Sequence, residues 1–262
     1  MHFIGIIPAR YASSRFPGKP LADICGKPMI QRVYEQVSKQ LDTVLVATDD
    51  ERIYACVKSF GGEVIMTSSA HTCGTDRVYE AYVKYRDAQQ EFLPDNEVVV
   101  VNVQGDEPFI QADQIQALMA SFPTEIATLV HPFTERDSCE DLANPNYVKV
   151  AIAEESGMAW KGKALYFSRS VIPHLRGVEP EKWLQQGKFY RHIGMYAYRA
   201  DVLARITQML PSVLEQTECL EQLRWLENGL TIRVSETNHA SIGIDTPEDL
   251  QKAVEYINKC KV

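Results

Sequence analysis

Residues 3–20 read FIGIIPARYASSRFPGKP, a short apolar run followed by a loop rich in cations and small side chains. The run Phe3–Ile7 has the composition of a buried β-strand. The cations and hydroxyls of the loop are Arg10, Ser13, Ser14, Arg15 and Lys19. A strand followed by such a loop is typical of a polyanion site at the carboxyl end of a sheet, although an ordinary turn with solvated charges has the same pattern.

The first half of the chain continues as an alternation of strands and helices. Further strands are predicted at 43–47, 63–66 and 98–103. Helical spacing of apolar residues predicts helices at 28–41, 50–60 and 74–90. This alternation predicts an α/β fold with a parallel, right-handed, doubly wound sheet.

The pattern changes after about residue 125. Strands at 126–130, 148–152 and 164–167 are expected to follow one another without helices between them, as an antiparallel or mixed extension. Beyond an excursion at 173–190, the pattern predicts a strand at 192–198, helices at 200–209 and 217–227, and a strand at 231–234. In the last helix, Thr246 is expected as N-cap and Asp249 as its N3 partner.

No linker or repeat marks a domain boundary, so residues 1–262 are expected to form a single domain. About 1–125 and 200–262 would form its core, and about 126–199 the mixed-β extension. The formal net charge of −8 argues against a nucleic-acid or anionic-membrane partner. No apolar run approaches the roughly 20 residues of a membrane span, so a cytoplasmic protein is expected. Six scattered cysteines without a C-x-x-C pair indicate neither zinc nor disulfides.

Two aspartates are candidate metal ligands. Asp106, in VQGDEP, directly follows the strand at 98–103, where ligands of α/β sheets bind, and carboxylates suit Mg²⁺. The alternative is that Asp106 caps the helix at 111–121, although Gln111 and Asp113 are nearer candidates. Asp245 precedes the last helix, where the helix dipole favours an aspartate in any case.

Motifs along nearly the whole chain resemble those of the sugar-activating cytidylyltransferases. In chain order they are IPARYASSRFPGKPL (7–21), GTDR (74–77), QGDEP (104–108), FSR (167–169), RHIGMY (191–196), LEQLR (220–224) and GIDTPEDL (243–250). The resemblance implies a nucleotide-diphospho-sugar transferase, Rossmann-like fold whose doubly wound sheet is mixed but mostly parallel, with a small mixed-β dimerisation extension. It also implies a cytoplasmic homodimer. The implied enzyme joins CTP and 3-deoxy-D-manno-octulosonate (Kdo), with Mg²⁺, to give CMP-Kdo and pyrophosphate. CMP-Kdo would serve lipopolysaccharide synthesis.

The resemblance also assigns residues. The catalytic residues would be Arg10, Lys19, Asp106 and Asp245, the two aspartates holding Mg²⁺. Nucleotide contacts would be Pro8, Ala9, Arg10, Ser13, Ser14, Arg15, Lys19, Thr48, Asp49, Gly74 and Thr75. Sugar contacts would be Arg77, Gln104, Arg169, His192, Tyr196, Glu221 and Gln222. From the residues alone, a histidine on a strand such as His192 is more often a hydrogen-bonded structural residue than a ligand. Tyr196 has the alternative of a core residue, and Glu221 that of a solvated side chain. Cys73 stands where the family has serine.

The reaction would be an in-line attack of the sugar's anomeric hydroxyl on the α-phosphate, which needs positioning and charge neutralisation rather than a protein nucleophile. A nucleotide-dependent oxidoreductase would need G-x-G-x-x-G after the first strand, which is absent. A Walker A kinase is disfavoured because Gly26-Lys27 is followed by Pro28. A non-catalytic sensor would not need both carboxylates. The choice between Kdo and an amino-substituted relative, the groups that read cytosine, and a second metal remain open.

Overall fold

The computed structural model describes residues 1–12, 16–158, 160–240, 243–244 and 246–260, without the side chains of 256 and 258–260. The strands are β1 (His2–Ala9), β2 (Asp23–Ile24), β3 (Lys27–Pro28), β4 (Thr43–Thr48), β5 (Glu63–Met66), β6 (Val98–Asn102), β7 (Ile126–Pro132), β8 (Lys149–Glu154), β9 (Gly162–Ser168), β10 (Tyr190–Arg199) and β11 (Ile232–Glu236). The helices are α1 (Met29–Val37), α2 (Glu51–Ser59), α3 (Gly74–Asp87), α4 (Ala112–Ala120), α5 (Cys139–Ala143), α6 (Trp183–Gln186), α7 (Ala200–Ile206), α8 (Val213–Glu218), α9 (Gln222–Glu227) and α10 (Pro247–Cys260).

The chain divides into two compact units. The first comprises Met1–Ile115, Arg199–Thr207 and Ser241–Val262. In its sheet the strands lie in the order β5-β4-β1-β6, and every neighbouring pair is parallel. The chain thus runs outward from β1 through β4 to β5, and then returns to the other side of β1 with β6. This confirms the doubly wound parallel sheet and places its topological switch point between β1 and β6.

The strands of this sheet are buried because their side chains are apolar on both faces. Ile4, Ile6 and Ile7 of β1 are fully buried, as are the four valines at 98–101. Such continuous apolar runs are typical of parallel strands covered on both sides. A smaller core joins the β2–β3 hairpin and the start of α1 to α10. The first turn of α10 is capped as expected, with Asp249 N–H donating to Thr246 Oγ1 and Thr246 N–H to Asp249 Oδ2.

The second unit comprises Gln116–Tyr198 and Gln208–Ala240. Its strands lie in the order β10-β7-β11-β9-β8, and β8 also pairs with β10. Only β7 and β11 are parallel, whereas the other pairs are antiparallel. The expected mixed extension is therefore confirmed.

Two expectations for the second half were wrong. α5 lies between β7 and β8, where no helix was expected, and the chain starts it with a capping box formed by Ser138 and Asp141. The single helix expected at 217–227 is two helices, α8 and α9. Cys219 separates them in a left-handed conformation with φ 52°, which a cysteine rarely adopts.

Among the residues described, no helix has both the length and the apolar character that crossing a bilayer requires.

Candidate active site

A cavity of about 290 Å³ opens at the carboxyl ends of β1 and β6. Its lining is formed by Pro8, Ala9, Arg10, Lys19, Pro20, His71, Thr72, Cys73, Gly74, Arg77, Gln104, Gly105 and Asp106. The loop after β1, the loop after β6 and the start of α3 thus share one cavity. Because β1 and β6 flank the switch point of the sheet, this is where a doubly wound fold binds its ligand.

The loops after β1 and β6 lie close together because residue 105 is glycine. A Cβ atom at Gly105 would lie 2.9 Å from the Pro8 carbonyl oxygen, too close for any other residue without a backbone shift. The next residue, Asp106, is thereby held at the cavity. Its backbone carbonyl also accepts a hydrogen bond of 3.0 Å from Ile244 N–H, so the loop is fixed on a second side.

Asp106 and Lys19 form an ion pair in the cavity lining. Lys19 Nζ donates to Asp106 Oδ2 at 2.7 Å, and the Asp106 side chain keeps 32% of its exposure. α4 begins only at Ala112, so Asp106 lies outside the turn that could use it as a cap. The carboxylate is therefore an exposed acceptor at the cavity, beside a cation.

The N-terminus of α3 lies at the cavity, since Cys73 and Gly74 both line it. The first N–H groups of a helix and its dipole favour a bound anion. Cys73 is the N-cap, and its Sγ accepts from Asp76 N–H at 3.4 Å. Cys73 therefore caps the helix, although a thiol is a weaker acceptor than a hydroxyl.

Arg77 lines the cavity from the first turn of α3 and is held by two other loops. Its Nη1 donates to Thr67 Oγ1 at 2.6 Å and its Nη2 to Asp49 Oδ2 at 2.7 Å. The side chain is only 3% exposed. A buried guanidinium with a carboxylate partner keeps its charge and a fixed orientation.

His71 is a cavity residue that the sequence did not single out. Its Nε2 pairs with Glu80 Oε2, one turn and a half into α3. Burial raises the pKa of Glu80, but hydrogen bonds from Lys84, Ser68 N–H and His71 outweigh it and lower that pKa to about 2. Glu80 is therefore ionised near neutral pH and orients the imidazole. In the sequence, the only signal for His71 was its place three residues before the GTDR motif. No sequence pattern indicates that it would contact Glu80.

The structure brings together eight of the predicted site residues in the cavity lining: Pro8, Ala9, Arg10, Lys19, Gly74, Arg77, Gln104 and Asp106. Thr48, Asp49 and Thr75 lie outside the described lining, although Asp49 contacts it through Arg77. Ser13, Ser14, Arg15 and Asp245 lie outside the described residues. The remaining predicted sugar contacts all belong to the second unit.

In that unit, His192 and Tyr196 lie together on β10, with ring centroids 5.3 Å apart. His192 Nε2 is 3.0 Å from Thr128 Oγ1, and its ring packs edge-on against Phe167 at 5.1 Å. Tyr196 is buried and packs edge-on against Trp225 at 5.1 Å. Although part of His192 reaches the surface, burial of its imidazole in this aromatic cluster lowers the pKa to about 3.

Arg169 is held mainly by backbone carbonyls. Nε donates to the Glu218 carbonyl at 2.7 Å, and Nη1 to the Pro145 carbonyl at 3.0 Å. Glu221 is the residue before α9, and Gln222, its first residue, is buried. Arg169 therefore links the end of β9 to the end of α8. The same hydrogen bonds restrict the orientation of its guanidinium.

We expect His192 to destabilise the protein in acid. Between pH 6.5 and 3 the unfolded chain binds a proton that the folded protein does not, so stability falls with falling pH. The loss at pH 4.5 is up to about 3 kcal/mol. Urea unfolding at pH 7 and pH 4.5 measures this loss. Between these two pH values, the free energy of unfolding should fall less in His192→Gln than in the wild type. The exposed His174 is the control, and His174→Gln should behave like the wild type. An equal loss in both variants would contradict the assignment.

The profile of the family described as Cytidylyltransferase matches residues 4–232. A 3-deoxy-manno-octulosonate cytidylyltransferase of Parabacteroides distasonis is 56% identical over 261 residues, covering 98% of both chains. One of Phocaeicola vulgatus is 56% identical over 262 residues, covering 99% of this chain and 98% of the relative.

Among solved structures, that of CMP:2-keto-3-deoxy-manno-octonic acid synthetase complexed with CTP superposes with a TM-score of 0.84. It is 39% identical in sequence and covers 99% of both chains. The chain therefore belongs to the cytidylyltransferase family, in the group formed by the 3-deoxy-manno-octulosonate cytidylyltransferases.

Proposed function

We propose that this protein transfers the cytidylyl group of CTP to Kdo and gives CMP-Kdo and pyrophosphate. The observation that carries the proposal is the cavity at the switch point, where Arg10, Lys19 and Asp106 line one surface. Relatives named for this reaction share 56% of their residues with this chain over nearly its whole length. A cationic cavity with one exposed carboxylate suits a triphosphate better than a neutral ligand.

The triphosphate would lie between the loop after β1 and the N-terminus of α3. Arg10 and Lys19 would donate charge-assisted hydrogen bonds to its oxygens, and the N–H groups at Gly74 would add uncharged donors. Lys19 is already held by its ion pair with Asp106, and a donor positioned in advance needs little reorganisation as charge develops on the departing pyrophosphate. The chain's own residues thus contribute positioning and charge neutralisation.

The cavity fits a magnesium ion by the chemistry of its donors. Asp106 is the one carboxylate among the described lining residues, and Asp245 is proposed as the second ligand. Mg²⁺ commonly takes one or two carboxylates together with substrate phosphates. When bound, such an ion would polarise the α-phosphate and reduce the repulsion between CTP and an anionic acceptor. No group of three acidic, cysteine or histidine ligands occurs in the described part of the chain.

The nucleotide contacts at Ser13, Ser14, Arg15, Thr48, Asp49 and Thr75 remain proposals. So do the sugar contacts at Arg77, Gln104, Arg169, His192, Tyr196, Glu221 and Gln222. Arg77 and Gln104 are supported by their place in the cavity lining. Gln104 is oriented there by its own hydrogen bond, since its Nε2 donates to Asn102 Oδ1 at 3.2 Å. An amide and a guanidinium are suitable partners for the hydroxyls and carboxylate of a sugar acid.

A panel of nucleotides and sugar acids tests the proposed function. The protein would be incubated with CTP, UTP or TTP, each with Kdo or an amino-substituted relative, in Mg²⁺ or excess EDTA. We expect pyrophosphate release with CTP and a sugar acid, and its loss in EDTA. CTP binding without turnover of any sugar acid would indicate a non-catalytic sensor, and no CTP binding would reject the proposal altogether.

Lys19→Ala should slow turnover by about tenfold to a hundredfold. A charge-assisted hydrogen bond is worth about 1.5–3 kcal/mol, and the lysine would make one to the triphosphate. Steady-state kinetics with saturating sugar measure the effect. Lys27→Ala is the control, because Lys27 pairs with Glu35 and lies outside the cavity lining. Equal turnover in the two variants would exclude Lys19 from the reaction.

Dimerisation and a cytoplasmic location are also proposals. Met158 and Leu165, in the region expected to form the dimer contact, are 56% and 61% exposed in the isolated chain. Exposed apolar side chains of this size are what a dimer contact in this region would cover. Analytical ultracentrifugation would detect a second copy, and a monomer at every concentration would reject it.

A further inference from the structure

The loop that follows β1 is closed at its base by one backbone hydrogen bond. Gly18 N–H donates to the Tyr11 carbonyl at 2.9 Å, which joins the two ends of the loop. Arg10 directly precedes Tyr11 and Lys19 directly follows Gly18, and both cations line the cavity. The contacts that hold Tyr11 in place therefore also fix the backbone positions of Arg10 and Lys19.

The ring of Tyr11 is held from a different part of the chain. The Arg52 guanidinium carbon lies 3.2 Å from the centroid of this ring, in the position of a cation–π contact. Gly18, with φ +72°, packs so closely on the same ring that a Cβ atom there would lie 3.0 Å from it. Tyr11 is thus in contact with both α2, which carries Arg52, and the far end of its own loop.

Asp50 in turn holds Arg52. Its Oδ1 accepts from Arg52 Nε at 2.9 Å and its Oδ2 from Nη2 at 2.6 Å, a two-pronged pair. Oδ1 also accepts from Arg52 N–H at 2.9 Å, as the N-cap of α2. The Arg52 side chain is 58% exposed, and an exposed arginine normally samples many rotamers. The Asp50 carboxylate selects the Arg52 rotamer in which the guanidinium covers the Tyr11 ring.

We propose that Asp50, Arg52 and Tyr11 form a clamp that positions Arg10 and Lys19 for the triphosphate. The inference rests on the proposed function, because it assumes that this loop binds CTP. The three are positioning residues, acting through their neighbours in the cavity lining. Cations whose backbone positions are already fixed cost less free energy to order when the ligand arrives. The clamp should therefore strengthen CTP binding.

The test measures CTP affinity by calorimetry without sugar, together with kcat and the KM for CTP. Arg52→Ala and Tyr11→Leu should each weaken CTP binding by about threefold to tenfold, the range of a cation–π contact. Neither should change kcat by more than about twofold, because the clamp does not touch the reacting atoms. Tyr11→Phe, which keeps the ring, should bind CTP like the wild type. Arg52→Lys keeps a cation but loses the two-pronged pair, so it should be intermediate.

Lys58→Ala is the matched control. Lys58 is a second cation of α2, whose Nζ lies 5.9 Å from the Tyr54 ring, away from the loop. Its variant should bind CTP normally, and the double variant Tyr11→Leu/Arg52→Ala should be no weaker than either single one. Normal CTP affinity in Arg52→Ala, or additive losses in the double variant, would overturn the clamp. Failure of the wild type to bind CTP would instead reject the proposed function.

Discussion

Asp106→Asn should lower turnover by at least about a hundredfold and leave the fold intact. The change removes a negative charge at the cavity, where fixed electrostatic interactions are usually the largest catalytic contribution. An amide oxygen is also a poorer ligand for Mg²⁺ than a carboxylate. The fold should tolerate it because the link to Ile244 uses the backbone carbonyl of Asp106 rather than its side chain. Pyrophosphate release with CTP, Kdo and Mg²⁺ measures turnover, and thermal unfolding checks the fold.

The control is Asp113→Asn, which removes an exposed carboxylate from the first turn of α4. It should keep near wild-type turnover. Asp245→Asn should match Asp106→Asn, and the double variant should not multiply the two losses, since both residues would serve one ion. Near wild-type turnover in either single variant would rule out that residue as an essential metal ligand.

The sheet and the place of the cavity could be predicted from local patterns. The runs at Phe3–Ile7 and 98–103 are apolar enough to identify buried strands, and loops rich in cations or carboxylates directly follow them. In a doubly wound sheet such loops meet at the carboxyl edge. Arg10, Lys19 and Asp106 were therefore identifiable before their contacts were known.

The contacts that fix the site could not be predicted in the same way. Arg77 is bound by Thr67 and Asp49, from two other loops, and His71 by Glu80. Each pairing depends on how side chains meet across elements, which no periodicity encodes. The left-handed Cys219 was missed for another reason: it is the C-cap of α8, where glycine is the usual signal, and a cysteine does not give that signal.

Arg77→Ala tests both the stability and the substrate specificity that this geometry implies. The variant leaves the Asp49 carboxylate and the Thr67 hydroxyl without their donor, and breaking a buried pair costs about 3–5 kcal/mol. Asp49 keeps some exposure, so we expect the lower end of that range. Urea unfolding measures this loss of stability. Arg77→Lys should lose less stability than Arg77→Ala, since an ammonium can replace one of the two hydrogen bonds but not both donors of the planar guanidinium.

The same variants separate a sugar contact from a nucleotide contact. Thr67 and Asp49 use two of the five N–H donors of the guanidinium, and Arg77 lines the cavity, so we propose that its remaining donors bind the sugar carboxylate. Arg77→Lys, the better-folded variant, should therefore raise the KM for the sugar acid more than the KM for CTP. A larger rise in the KM for CTP would move Arg77 to the nucleotide side of the site.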